Sequence, residues 1–133
     1  MVKIIAIDGP ASVGKSSLAK ILAKKLKSPI LSSGKLYRAV AVEIISRKIN
    51  NNNVKKILEC VDYINLNKLD SKKLYSSSVD NVSSVISTRK QLRDKLTKFQ
   101  RDFPKRYCKN SNFAIVEGRD IGTVIFPKAD YKI

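Results

Sequence analysis

The sequence predicts an α/β domain of three layers, with helices on both faces of a parallel sheet. Three observations carry that prediction. A β-branched run at residues 2–8 (VKIIAID) is closed by Gly9-Pro10. A second apolar run at residues 113–116 (FAIV) ends in Glu117-Gly118. Between them the apolar residues recur at helical spacing. The 133 residues suffice for one compact domain and are too few for two. With 43% hydrophobic and 29% charged residues, the composition is globular and argues against a disordered chain.

Residues 2–8 read as a buried strand of a parallel sheet. Residues 16–27 carry Leu18, Ile21, Leu22 and Leu26, an amphipathic helix face, and Pro29 ends that helix. Ile30-Leu31 fits a second short strand. Leu36, Val40, Ile44 and Ile45 mark a helix over residues 33–49. The run Asn50-Asn51-Asn52-Asn53 is a loop or a surface cap. Residues 54–63 are expected to be helical, and Ile64-Asn65-Leu66 and Leu74-Tyr75 to form short strands. Helices at 79–87 and 89–108 follow, the second broken or kinked by Pro104. Residues 113–116 form another strand, and residues 130–133 begin a further one.

Cys60 and Cys108 lie far apart and form no CxxC pair. The N-terminal apolar stretch is short and lacks a small-residue cleavage site, so no secretory signal is expected. The two cysteines then read as reduced cytosolic thiols. No apolar run approaches the roughly 18 residues of a membrane span. The absence of histidine excludes His-based triads and His-ligated metals. A net charge of +16 favours polyanionic partners, nucleic acid or phosphorylated small molecules, although the lysines are scattered along the chain.

Gly9-Pro10-Ala11-Ser12-Val13-Gly14-Lys15-Ser16 fits G-x-x-x-x-G-K-[ST] without a gap. Gly9 and Gly14 allow a tight turn whose amide N–H groups point at phosphate oxygens. Lys15 is placed to reach the β/γ-phosphates, and the Ser16 hydroxyl to coordinate Mg²⁺. The helix that starts here adds its positive dipole end. Average residue frequencies give roughly 0.005 chance matches in a chain of this length. The loop identifies a nucleoside-triphosphate site and leaves the second substrate open.

Two further stretches have anion-binding chemistry. Ser33 fits an N-cap for the second helix, and Arg38 within it can fork a phosphate. Glu117 ends a strand at the position where P-loop proteins hold a metal, directly or through water. Arg119 and Asp120 follow it at a strand's carboxyl end, where open α/β sheets bind ligands.

The phosphate loop, SSGKLYRAVA (residues 32–41) and VEGRDIGTVIFPKAD (116–130), in that order, closely resemble the bacterial cytidylate kinase family. Its members phosphorylate CMP and dCMP from ATP. The third stretch is the most specific, and VDNVSSVISTRKQLRDKLTKFQRDF (79–103) resembles the family's helical segment before that strand. The resemblance covers nearly all of the chain. It implies a three-layer P-loop nucleoside-monophosphate kinase fold with a parallel sheet, incomplete at the C-terminus. Residues 1–133 would be a single P-loop kinase domain, with about 54–78 a reduced monophosphate-binding insert. Gly9, Pro10, Ala11, Ser12, Val13, Gly14, Lys15, Ser16 and Ser17 would surround the ATP phosphates, with Ser16 and Glu117 on Mg²⁺. Ser33, Tyr37 and Arg38 match monophosphate-side residues. Ser84 and Arg93 match the pair that reads the cytosine ring, Arg119 a CMP-phosphate contact and Asp120 a nucleoside contact. Lys15, Arg38 and Arg119 would be the catalytic cations.

The resemblance also implies a cytoplasmic monomer in pyrimidine nucleotide metabolism, with no membrane partner. The chain departs from the family pattern at Ser32, where Asp is usual, and around residues 66–78, which lack a Gly-x-Asp-Val pattern. Family members also continue past the strand at Asp130 into an arginine-rich lid, further helices and a final strand. The expectation is therefore a truncated chain and, alone, a poor enzyme. One competing reading is a basic, non-catalytic P-loop remnant that binds nucleotide or nucleic acid along residues 89–106. Few aromatics and no nucleic-acid motif speak against nucleic acid. The other competing reading is a fragment that does not fold alone.

Overall fold

Short apolar runs place four strands in one all-parallel sheet, in the order β2-β3-β1-β4. They are β1 (Lys3–Asp8), β2 (Ile30–Ser32), β3 (Phe113–Gly118) and β4 (Tyr131–Lys132). This computed structural model describes residues 1–9 and 14–133, with Lys15 as backbone alone. The chain divides into two units, Met1–Ser33 with Lys98–Ile133, and Gly34–Thr97.

The first unit holds the sheet and α1 (Lys15–Leu26). Side chains alternate across a strand, so Ile5, Ile7 and Ile115 project from one face and pack with Ala19, Leu22, Ala23 and Leu26 of α1. Burying each large aliphatic contributes about 1.5–3 kcal/mol. The helix face differs from the expected one. Leu18 and Ile21 are exposed, because α1 turns the small Ala19 and Ala23 toward the strands. On the other face Ala6, Ala114 and Val116 are fully buried. β4 pairs with β1 through Ile5–Tyr131 and Ala6–Lys132, as residues 130–133 predict.

The second unit holds most of α2 (Ser33–Ser46), with α3 (Val54–Cys60), α4 (Ser77–Ile86) and the first turns of α5 (Lys90–Tyr107). α2 buries Leu36, Val40, Ala41 and Ile44, while Ile45 stays exposed. It ends three residues before the expected position 49. Lys48 turns left-handed (φ 53°), and the amides of Ile49 and Lys48 bond back to Ile44 and Ile45, a Schellman closure. The Asn run contributes a cap: the Asn53 side chain accepts from the amide of Lys56 at the start of α3.

The strands expected at 64–66 and 74–75 are not strands. Single 3₁₀ turns occupy Val61–Tyr63, Leu66–Lys68 and Lys72–Tyr75. The Asn65 and Ser71 side chains accept from the amides of Asn67 and Lys73, two residues on. Such local bonds bend the chain, and they outweigh the weak extended preference of isolated Ile and Leu. α5 does not break at Pro104. The proline sits in the last turn, where its missing N–H forfeits a single ladder bond. No described helix is long and apolar enough to cross a membrane.

Candidate active site

In this strand order the chain leaves β1 toward β2 on one side and leaves β3 toward β4 on the other. The carboxyl ends of β1 and β3 are therefore a topological switch point, where open α/β sheets bind ligands. The register sets Ile7 beside Glu117 and Asp8 beside Gly118. The sequence thus brings Asp8-Gly9 and Glu117-Gly118 together at the carboxyl end of the sheet.

Gly14 introduces α1 in the left-handed conformation (φ 73°), which favours glycine, and no side chain caps the helix. The orphan amides of the first turn and the positive end of the helix dipole are suited to an anion. Pro10, Ala11, Ser12, Val13 and the Lys15 side chain lie outside the described residues. Ser17 is exposed on α1.

The Ser16 hydroxyl donates to Glu117 Oε1 at 3.3 Å. Glu117 is 2% exposed, and its Oε2 is buried with no hydrogen-bond partner among the described residues. A buried carboxylate oxygen without a donor is costly and calls for a partner. The hydroxyl and carboxylate together fit a hard divalent cation that takes oxygen ligands. No cluster of three or more acidic, cysteine or histidine side chains is present among the described residues. Such a cation would draw its remaining ligands from phosphate and water, as Mg²⁺ does.

Sequence reasoning missed Asp8. Its carboxylate accepts the amides of Ile121 (2.5 Å) and Gly122 (2.9 Å), two charge-assisted bonds that tie the Arg119-Asp120 loop to the end of β1. The signal was an acidic residue closing a strand directly before the phosphate loop, which reads simply as a strand end. Past the loop, Asp120 is left-handed (φ 57°) and a π-helical turn spans Ile121–Ile125. Arg101 donates to the carbonyls of Val124 and Ile125 at that turn's end. Arg119 and Asp120 are both exposed. Ser33 opens α2 as its first helical residue and is buried against Gly118, where a Cβ would stand 2.7 Å from the Ser33 Cβ.

Tyr37, Arg38, Ser84 and Arg93 belong to the second unit. Burial pushes the Tyr37 phenol above its usual range, with Arg93 lowering it and Asp94 raising it by smaller amounts. Ser84 and Arg93 are exposed on α4 and α5. Arg38 makes no hydrogen bond to Tyr37, Ser84 or Arg93 among the described residues. Its Nη1 donates to Asp80 Oδ1 (2.6 Å) and to the Leu74 carbonyl (2.8 Å), and its guanidinium lies 5.0 Å from the Tyr75 ring centre.

The family model described as cytidylate kinase matches residues 5–133. A cytidylate kinase from Pseudothermotoga lettingae is 41% identical over 98% of this chain and 60% of its own length. One from Caldicellulosiruptor saccharolyticus is 38% identical over 97% of this chain and 61% of its own length. A bifunctional pantoate ligase/cytidylate kinase from Prochlorococcus marinus is 36% identical over 98% of this chain and 28% of its own length. The chain spans about 60% of the length of the first two relatives.

Proposed function

The chain belongs to the cytidylate kinase family, and from that premise we propose that it serves in transferring the ATP γ-phosphoryl group to CMP or dCMP, giving CDP or dCDP. One observation carries the reading: the Ser16 hydroxyl meets the buried Glu117, whose Oε2 has no partner among the described residues. Ser16 and Glu117 would hold Mg²⁺, whose charge offsets that of the β- and γ-phosphates. Gly9 to Ser17 would wrap the triphosphate. The positive charges of Lys15, Arg38 and Arg119 would reduce the repulsion between the two phosphates. The acceptor is a CMP phosphate oxygen, already anionic near neutral pH, so positioning and charge neutralisation supply the rate.

Ser84 and Arg93 would read the cytosine edge, a hydroxyl and a guanidinium against its amino donor and its acceptors. Ser33 and Tyr37 would line the monophosphate side, and Asp120 would contact the nucleoside. The same reading makes the protein a cytoplasmic monomer in pyrimidine nucleotide metabolism. The competing nucleic-acid reading has less support. On α5, Lys90, Lys95, Lys98 and Arg101 are each already bonded to protein groups.

A panel of CMP, dCMP, UMP, AMP and GMP tests the proposal. Equilibrium binding and ATP-dependent diphosphate formation are measured for each. Selective CMP or dCMP binding is expected, strengthened by Mg²⁺-ATP. Preference for AMP, or no discrimination among the bases, refutes it.

A further inference from the structure

We propose that Asp80 is a positioning residue for Arg38, gripping one end of its guanidinium so that the opposite edge is presented to the phosphate of the nucleoside monophosphate. The inference rests on the reading of Arg38 as a monophosphate-side residue and adds a residue that the resemblance does not supply.

Both hydrogen bonds on Arg38 leave from one end of its planar group. Nη1 alone donates, to Asp80 Oδ1 and to the carbonyl of the buried Leu74, while the Tyr75 ring supports the guanidinium. Nε and Nη2 make no hydrogen bond among the described residues. Those two nitrogens form the edge that matches two oxygens of a phosphate. A carboxylate occupying the anion's own place would fork across two nitrogens. Asp80 instead touches one nitrogen through one oxygen. It stands in the first turn of α4, where the helix dipole favours its charge and the Ser76 cap fixes the turn. The contact therefore orders a long side chain and leaves its binding edge open.

Calorimetric titration of the 133-residue chain with CMP and with cytidine isolates the phosphate. In Asp80→Asn, CMP affinity should fall about three- to tenfold. Cytidine affinity should change less than about twofold, and Asp80→Glu should recover part of the loss. ¹⁵N signals of the Arg38 guanidinium should show hindered Nη rotation in the parent chain and free rotation in Asp80→Asn. A thermal melt confirms that each variant folds. Unchanged or tighter CMP binding in Asp80→Asn overturns the proposal, the tighter result making Asp80 a competitor. Free Arg38 rotation in the parent chain overturns it as well. If the parent binds neither ligand, the proposed function fails and this inference with it. If the parent binds both and only the Asp80 effect is missing, the function stands and this inference alone falls.

Discussion

Gly118→Ala is expected to be among the most damaging single-methyl changes in the chain. Its Cβ would stand 2.7 Å from the Ser33 Cβ and 3.2 Å from the Ile121 Cδ1, where carbon atoms normally rest about 3.5–4.0 Å apart. Neither neighbour yields easily. Ser33 joins β2 to α2 and is 9% exposed, and Ile121 is fully buried beside the amide bond to Asp8. The backbone adds strain, because φ at 118 is +156°, rarely adopted by residues with a side chain. Overpacking costs about 1–3 kcal/mol and the strained backbone about 1–3 more, a total of roughly 2–6 kcal/mol. Against a domain stability of about 5–15 kcal/mol, that is a large share. Urea unfolding of Gly118→Ala beside Gly34→Ala measures it. A Cβ at Gly34 meets nothing within 4 Å inside α2, so that variant should be unchanged or gain about 0.5–1 kcal/mol. A Gly118→Ala loss below about 1 kcal/mol would refute the close-approach reasoning.

Other substitutions test other parts of the structure. Glu117→Gln replaces a buried carboxylate whose Oε2 has no donor among the described residues, so stability should hold or rise slightly. The gain in ATP affinity on adding Mg²⁺ should fall at least about tenfold, read by calorimetry with and without the metal; an unchanged Mg²⁺ dependence removes Glu117 from the metal site. Lys27 (φ 50°) and Lys48 (φ 53°) close α1 and α2 in the left-handed region. Lys27→Gly and Lys48→Gly should each raise stability by about 0.5–1 kcal/mol in urea unfolding. The buried Cys108 thiol is pushed by desolvation from about 9 up to about 11. The folded chain therefore holds that proton more tightly than the unfolded chain. The stability it contributes is complete below pH 9 and is lost as pH rises from 9 toward 11. Unfolding midpoints across that range should decline less steeply in Cys108→Ala than in the parent, and equal slopes would count against the assignment.

The legible part of the fold is the part with strong local patterns. Residues 2–8 and 113–116 combine apolar runs with Gly boundaries, and strands stand there at Lys3–Asp8 and Phe113–Gly118. Residues 61–76 carry no such pattern. Isolated apolar residues there are bent into 3₁₀ turns by Asn65 and Ser71, side chains whose bonds to the backbone two residues on the apolar pattern does not reveal. Helix presence was readable from spacing, but the buried face of α1 was not. Two neighbouring stripes, Leu18–Ile21 and Ala19–Leu22–Ala23–Leu26, both fit a helical period, and the choice between them depends on how close the sheet lies. At the candidate site, the G-x-x-x-x-G-K-[ST] pattern is visible because it is written in contiguous residues. The role of Asp8 is not, because its partners are backbone amides 113 and 114 positions away and leave no trace in side-chain identity.

Departures from ordinary local structure gather at the carboxyl ends of β1 and β3. Gly14 and Asp120 are left-handed, Gly118 has a backbone that disfavours a side chain, and Ile121–Ile125 take a π-helical turn. Beside them Glu117 keeps a buried oxygen with no donor among the described residues. The other left-handed residues, Lys27 and Lys48, have a local purpose, since each closes a helix with bonds to its own last turn. No comparable purpose explains the cluster at the sheet edge. Strained conformations persist only where surrounding structure holds them, and here the restraints are visible: Asp8 on the amides of Ile121 and Gly122, and Arg101 on the carbonyls of Val124 and Ile125. Two charged side chains thus hold the two ends of the π-helical turn, the part of the loop that directly follows Arg119 and Asp120. Relaxing either clamp should loosen that loop before it unfolds the sheet, whose hydrophobic packing involves neither charge.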